Sequence, residues 1–284
     1  MHFLLLRIVS SVAMGVVLKL ADVRKLERIP LIRINYAVAA IIAFFIAVAT
    51  ETQHISMPTA VLAAVIGALF VAGLLLWAKV IETAGLALSV VAMRLSILVP
   101  VAVSAVAWRE RPGLIQGIGI GAALLALGLV LSDQSRPANG AVRPSRAWFW
   151  MLGLFLVDGL VNTGAKVFQE MMPSSENLSF QAVIFVSAFF VTTLVYYLRR
   201  ERASQATLAY GAGLGAANLG NYLFLVMALS VLPGVVVYPV MAAAEVALMA
   251  LAGVFIWREK VGFRSWVGIA LAVVALILIQ LGRA

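Results

Sequence analysis

The chain has 284 residues, 64% of them hydrophobic and only 12% charged, roughly half the charged share of a soluble domain. That excludes a soluble globule, and the lack of any cysteine excludes disulfides, thiolate metal sites and cysteine nucleophiles. The net charge of +9 does not point to nucleic acid, because the basic residues sit singly or in threes between apolar runs, as membrane anchors do.

The apolar runs are long enough to cross a hydrocarbon core of about 30 Å. In chain order they predict spans at 3–21, 30–49, 57–80, 85–108, 113–132, 147–167, 178–198, 206–230, 234–257 and 263–282. All ten are expected to be helices, since backbone in lipid must satisfy its own hydrogen bonds. The first span serves for targeting, with no cleavage site after it. The longest connection, 135–146, holds Pro137, Asn139-Gly140 and Pro144 and reads as a linker between halves at 1–134 and 147–284.

The halves share a plan. Trp108-Arg109-Glu110-Arg111 is echoed 149 residues later by Trp257-Arg258-Glu259-Lys260. Gly113 and Gly119-Ile120 follow the first copy, and Gly262 and Gly268-Ile269 the second. A five-helix unit repeated once enters the bilayer the second time upside down, because five is odd. The fold class expected is therefore an all-α integral membrane protein of ten transmembrane helices in two inverted repeats, the plan of many secondary transporters. Orientation follows the basic residues. Connections after odd-numbered spans hold Arg24, Lys25 and Arg28; Arg136, Arg143 and Arg146; Arg199, Arg200 and Arg202; and Arg258, Lys260 and Arg264. Those after even-numbered spans hold Arg109 and Arg111 alone. The bias places both termini outside an inner (plasma) membrane.

The two Trp-Arg-Glu turns, the Gly-rich helices after them and Lys19 at the end of the first helix resemble the drug/metabolite transporter superfamily, and within it the EamA-type transporters. The resemblance covers nearly the whole chain. It implies a secondary carrier, usually an exporter of small metabolites. One departure is that the Trp-Gly pair common in the family's first helix stands here as Met14-Gly15.

Four polar residues fall near the middle of their predicted helices: Arg94, Asp158, Asn218 and Glu245. Ionisable side chains at that depth are costly and face a cavity or a partner. Two readings are open. Arg94 can form a structural ion pair with Glu245 or Asp158. Alternatively, one carboxylate neutralises Arg94 while the other exchanges a proton for a cationic or zwitterionic substrate, with Glu245 the first candidate for proton coupling and Asp158 the second. Arg94 would then hold a substrate carboxylate through a forked pair of hydrogen bonds.

Asp158, Asn162 and Lys166 are spaced by four and share a helix face. Ser11, Gly15 and Lys19 repeat that spacing in the first helix. Lys19 and Lys166 either snorkel to the interface or flank the transport pathway. In the eighth span Asn218, Asn221 and Tyr222 lie at i, i+3 and i+4, and in the ninth Tyr238 and Glu245 are seven apart. These faces either line a substrate wall together or make interhelical hydrogen bonds. Asn35 and Tyr36 are weaker candidates for the same wall, and Trp77 and Lys79 read as interfacial anchors. Pro100 and Pro239 mark expected bends and candidate pivots. The Trp-Arg-Glu turns read as helix-end structure.

Other motifs are set aside. Gly117–Ala122 and Gly211–Ala216 fit a loose dinucleotide fingerprint, but neither follows a strand. Each also contains G-x-x-x-G, which lets transmembrane helices pack closely. His2 and His54 lie near span ends and build no metal site or serine triad. No P-loop is present. The expectation is a carrier and not an enzyme, without cofactor or metal, monomeric or homodimeric. It would export a small metabolite, such as an amino acid or similar amphipathic zwitterion or cation, driven by protons or by substrate exchange. A carrier of sugar phosphates or nucleotide sugars is the alternative, and would call for more central cations than Arg94. A membrane assembly subunit without transport is the alternative from another class.

Overall fold

The structure is a computed structural model and describes residues 2–52, 54–84, 86–134, 147–199, 203–258 and 262–281. The linker predicted at 135–146, together with Arg200, Arg202, Glu259 and Lys260, lies outside the described residues. Every regular element among the described residues is helical. The α-helices are α1 (His2–Val23), α2 (Arg28–Ala49), α3 (Met57–Ala84), α4 (Leu86–Leu95), α5 (Leu98–Ala107) and α6 (Leu114–Gln134), then α7 (Ala147–Met171), α8 (Asn177–Arg199), α9 (Gln205–Leu229), α10 (Gly234–Trp257) and α11 (Phe263–Leu281). A 3-10 turn at Ser174–Glu176 leads into α8. Seven of these segments, in α1, α2, α3, α7, α8, α9 and α10, are long and apolar enough to cross a membrane. Shorter apolar segments lie at Ala92–Ala107, Leu114–Leu129 and Trp266–Leu278. The chain is a multi-pass, all-α membrane protein.

The fourth predicted span is not one helix. It breaks at Ser96 and Ile97 into α4 and α5. Pro100 has no N–H for the Ser96 carbonyl, which instead accepts from Val99 N–H at 3.0 Å in a tighter turn. Pro239 behaves differently: α10 runs through it unbroken. It stands in the second turn, past the first four N–H groups, so its missing N–H takes the i+4 donor from the Val235 carbonyl without ending the helix.

Helix ends follow local chemistry. Ser204 caps α9, accepting from Thr207 N–H at 3.1 Å while Thr207 Oγ1 accepts from Ser204 N–H. Lys25, Glu51, Arg109 and Arg258 adopt φ values of 53°, 55°, 52° and 54° just past α1, α2, α5 and α10. That left-handed conformation ends a helix and favours glycine. Arg109 and Arg258 are the matched arginines of the Trp-Arg-Glu turns, so both copies stop their helix the same way.

The chain packs as two compact units. One comprises residues 72–163 and 231–284, the other 2–71 and 164–230. Each draws helices from both halves of the sequence, and α3 and α7 each pass from one unit to the other partway along. In the first unit α6 packs against α11 and α10, and α10 also against α5. The buried stripe on α6 is Ala123, Ala126 and Leu127. A side chain added at Gly117 or Gly121 would meet nothing within 4 Å, so this G-x-x-x-G is not a packing seam.

In the second unit α1 packs on α9, and α2 on α8 and α9. Here the other G-x-x-x-G does work as expected. A Cβ at Gly211 would lie 2.7 Å from Ile34 Cβ, and one at Gly215 2.5 Å from the Asn35 carbonyl. Tyr36, Phe70, Phe185, Tyr222 and Phe180 form a ring-to-ring chain at the centre of this unit, with centroids 5.5–6.3 Å apart.

Candidate functional site

Three elements of the first unit bring its polar residues together: the α4–α5 break, α7 and α10. Gly159 on α7 allows the approach. A Cβ there would stand 2.6 Å from Val99 Cβ and 3.0 Å from the Ser96 carbonyl. Its neighbour Asp158 is thereby carried to the break, where Ser96 Oγ donates to the Asp158 carboxylate.

Arg94 closes α4, where the carbonyl end of the helix favours a cation. Its Nη1 lies 2.6 Å from Glu245 Oε2. The Glu245 side chain is 3% exposed and that of Arg94 28% exposed, so the carboxylate is the deeper partner. Burying a carboxylate alone in apolar helices costs several kcal/mol, and the guanidinium offsets that cost. Two turns earlier on α10, Tyr238 is fully buried and donates its hydroxyl to the Asn162 carbonyl at 2.8 Å. Asn162 in turn donates from Nδ2 to the Asp158 carbonyl at 2.9 Å. Arg94, Asp158, Asn162, Tyr238 and Glu245 thus lie in one unit, linked by contacts at each step except between the two carboxylates.

Ser96 has one hydroxyl proton and two acceptors in reach. These are the Met93 carbonyl, 2.5 Å away, and the Asp158 carboxylate.

Asn218, Asn221, Tyr222, Lys166 and Lys19 belong to the second unit, whereas Trp77, Lys79, Pro100, Glu110 and Pro239 lie in the first. Asn218 Nδ2 donates to Asn35 Oδ1 at 3.2 Å, and Asn35 is buried. Asn221 has a buried Oδ1 with no hydrogen-bond partner among the described residues. Tyr222 packs edge-on against Phe70 with centroids 5.5 Å apart. A single wall of Asn218, Asn221 and Tyr222 with Tyr238 and Glu245 is therefore not assembled within either unit. Lys166 is buried and its Nζ lies 2.5 Å from Glu170 Oε1, one turn further along α7, with Gln169 Oε1 at 3.2 Å. Its ammonium thus has a carboxylate and an amide oxygen of its own helix within reach. Lys19 is half-buried in α1. Trp77 donates from Nε1 to Ser89 Oγ at 3.1 Å, an inward tie, whereas Lys79 pairs with exposed Glu82 at 3.1 Å. Glu110 does not simply brace its own turn. Its Oε2 accepts from Val235 N–H at 3.0 Å and so caps the start of α10.

No protein-family model matches the chain. A protein of Haemophilus influenzae, described as uncharacterized, is 24% identical over 288 residues, covering 97% of this chain and 96% of that protein. A solved structure described only as "Crystal structure of protein" is similar with a TM-score of 0.79 at 14% identity, covering 99% of this chain and 96% of that one. These likenesses show a shared fold.

Three side chains escaped the sequence reading. Ser96 was legible: it stands 149 residues before Glu245, at the same place in the repeat. Arg7, buried in α1, was visible as a lone cation inside an apolar run. Arg33 lies over the rings of Tyr196, Phe189 and Tyr197 at 4.7, 5.6 and 5.9 Å, a stacking that only the pairing of α2 with α8 reveals.

Proposed function

We propose that the protein is a secondary active transporter that exports a small metabolite by alternating access, with ten spans arranged as two inverted five-helix repeats. The substrate is an amino acid or a similar amphipathic zwitterion or cation, and its movement is coupled to protons. The observation that carries this reading is the Arg94–Glu245 ion pair, which stands at a broken helix in the same unit as Ser96, Asp158, Asn162 and Tyr238. A broken helix in a membrane exposes backbone groups that can serve a ligand.

The charges select the ligand. Opening the pair strands a cation and an anion, each costly. A zwitterion restores both at once, its carboxylate on Arg94 and its ammonium on Glu245. A proton on Glu245 excludes the ammonium, so proton and substrate take turns, which is what exchange requires. Asp158 and Ser96 form a second place where a proton is gained or lost. Lys19, Lys166, Pro100 and Pro239 remain proposed as pathway or pivot residues. The cluster offers one guanidinium against two carboxylates, which disfavours sugar phosphates and nucleotide sugars.

Thermal unfolding of the purified protein tests the substrate class. A fitting α-amino acid is expected to raise the melting temperature, since ligand at roughly 100 times its Kd adds about 2.7 kcal/mol to the folded state. Matched monocarboxylates and amines should do less, because each repairs one charge only. Stabilisation by sugar phosphates and not by any amino acid would overturn the assignment.

A further inference from the structure

In the second unit α1 and α9 leave a groove of about 190 Å³ lined by Val17, Ala209, Tyr210 and Gly213. It carries none of the polar residues described above. The volume is below the roughly 300–1,000 Å³ of small-molecule pockets, so it suits a segment of a chain more than an enclosed metabolite. Its sides are apolar, and a side chain added at Gly213 would meet nothing within 4 Å. A cation stands beside it: the Arg24 guanidinium lies 5.1 Å above the Tyr210 ring. No acid pairs with Arg24 among the described residues. The nearest in sequence, Asp22, holds Arg28 at 3.3 Å. Stacking on a ring satisfies the flat face of a guanidinium and leaves its N–H edge for an oxyanion.

We propose that this groove and Arg24 bind one anionic phospholipid, with the acyl chain against Val17, Ala209 and Gly213 and the phosphate on the Arg24 edge. The match is of both parts to one molecule: an apolar slot for the tail and, over the tyrosine at its side, a cation for the head. Arg24 lies just past the end of α1, in a connection that also holds Lys25 and Arg28, where basic residues meet the lipid headgroups.

Native mass spectrometry of the full chain, released from mixed micelles, tests this with palmitoyl-oleoyl phosphatidylglycerol and the phosphatidylcholine of the same tails. The wild type should retain phosphatidylglycerol about fivefold better, the discrimination expected of one arginine at an anionic surface. Arg24→Gln should lose that preference while still holding either lipid. Gly213→Leu starts from a Cβ that meets no atom within 4 Å and puts its isobutyl group at the groove, so it should lower retention of both lipids at an unchanged melting temperature. Soluble glycerol phosphate should not compete. A preference that survives Arg24→Gln, or retention that survives Gly213→Leu, overturns the proposal. So does competition by glycerol phosphate, which would mark an anion site alone, or a dimer that Gly213→Leu splits without loss of lipid, which would put a second copy of the chain in the groove.

Discussion

Replacing Gly215 with alanine is expected to destabilise the protein by about 1–3 kcal/mol, the usual cost of forcing a methyl group into a full interface. The added carbon would stand 2.5 Å from the Asn35 carbonyl, 3.0 Å from Val38 Cβ and 3.2 Å from the Ala39 nitrogen. Two of those atoms are backbone, so relief comes only by moving α2 away from α9. That motion also strains the hydrogen bond between Asn35 and Asn218. Leucine at the same position should prevent folding. Gly117→Ala supplies the contrast, because its new carbon meets nothing. There the substitution should be neutral, or stabilise by up to about 1 kcal/mol through higher helix propensity. Unfolding of wild type, Gly215→Ala and Gly117→Ala in one detergent measures the difference, and equal melting temperatures for Gly215→Ala and Gly117→Ala would refute the packing described for α2 and α9.

Separating Arg94 from Glu245 should have the other large effect. Removing one member of a buried pair typically costs about 3–5 kcal/mol, because the remaining charge is left alone. The two single variants should not be equal. Arg94→Gln removes the guanidinium from a carboxylate side chain that is 3% exposed, whereas Glu245→Gln removes the carboxylate from a cation that is 28% exposed. Arg94→Gln is therefore expected to be the more destabilising. The double variant should recover much of the loss, since neither position then carries a charge to desolvate. Losses that simply add in the double variant would show that the two side chains do not depend on each other.

Much of this arrangement can be read from residue order. Runs of apolar residues mark the helices to within a few positions, and the depth of Arg94, Asp158 and Glu245 in their runs marks Arg94 as a partner for one of the two carboxylates without saying which. What composition does not encode is which face of a helix meets a neighbour. Gly117/Gly121 and Gly211/Gly215 are the same motif, yet the first pair faces open space and the second meets α2 backbone. Pro100 signals a disturbance in the fourth span but not its place. The break falls at Ser96, the residue whose carbonyl the proline deprives, and there the Ser96 hydroxyl reaches Asp158. Asn218 could bond to any amide in the bundle, and its pairing with Asn35 is fixed only once α2 and α9 lie together. The partner of Lys166 is open in the same way until the turn of α7 sets Glu170 beside it.

Transport by the protein reconstituted in liposomes puts the role of the Arg94–Glu245 pair to its most direct test. With an amino acid that shifts the melting temperature as labelled substrate, wild-type protein should catalyse both counterflow and accumulation driven by an imposed pH gradient. Glu245→Gln should abolish the gradient-driven accumulation. Accumulation by Glu245→Gln equal to wild type, or no counterflow of any such substrate by the wild type, would contradict the assignment of this pair to substrate and proton exchange.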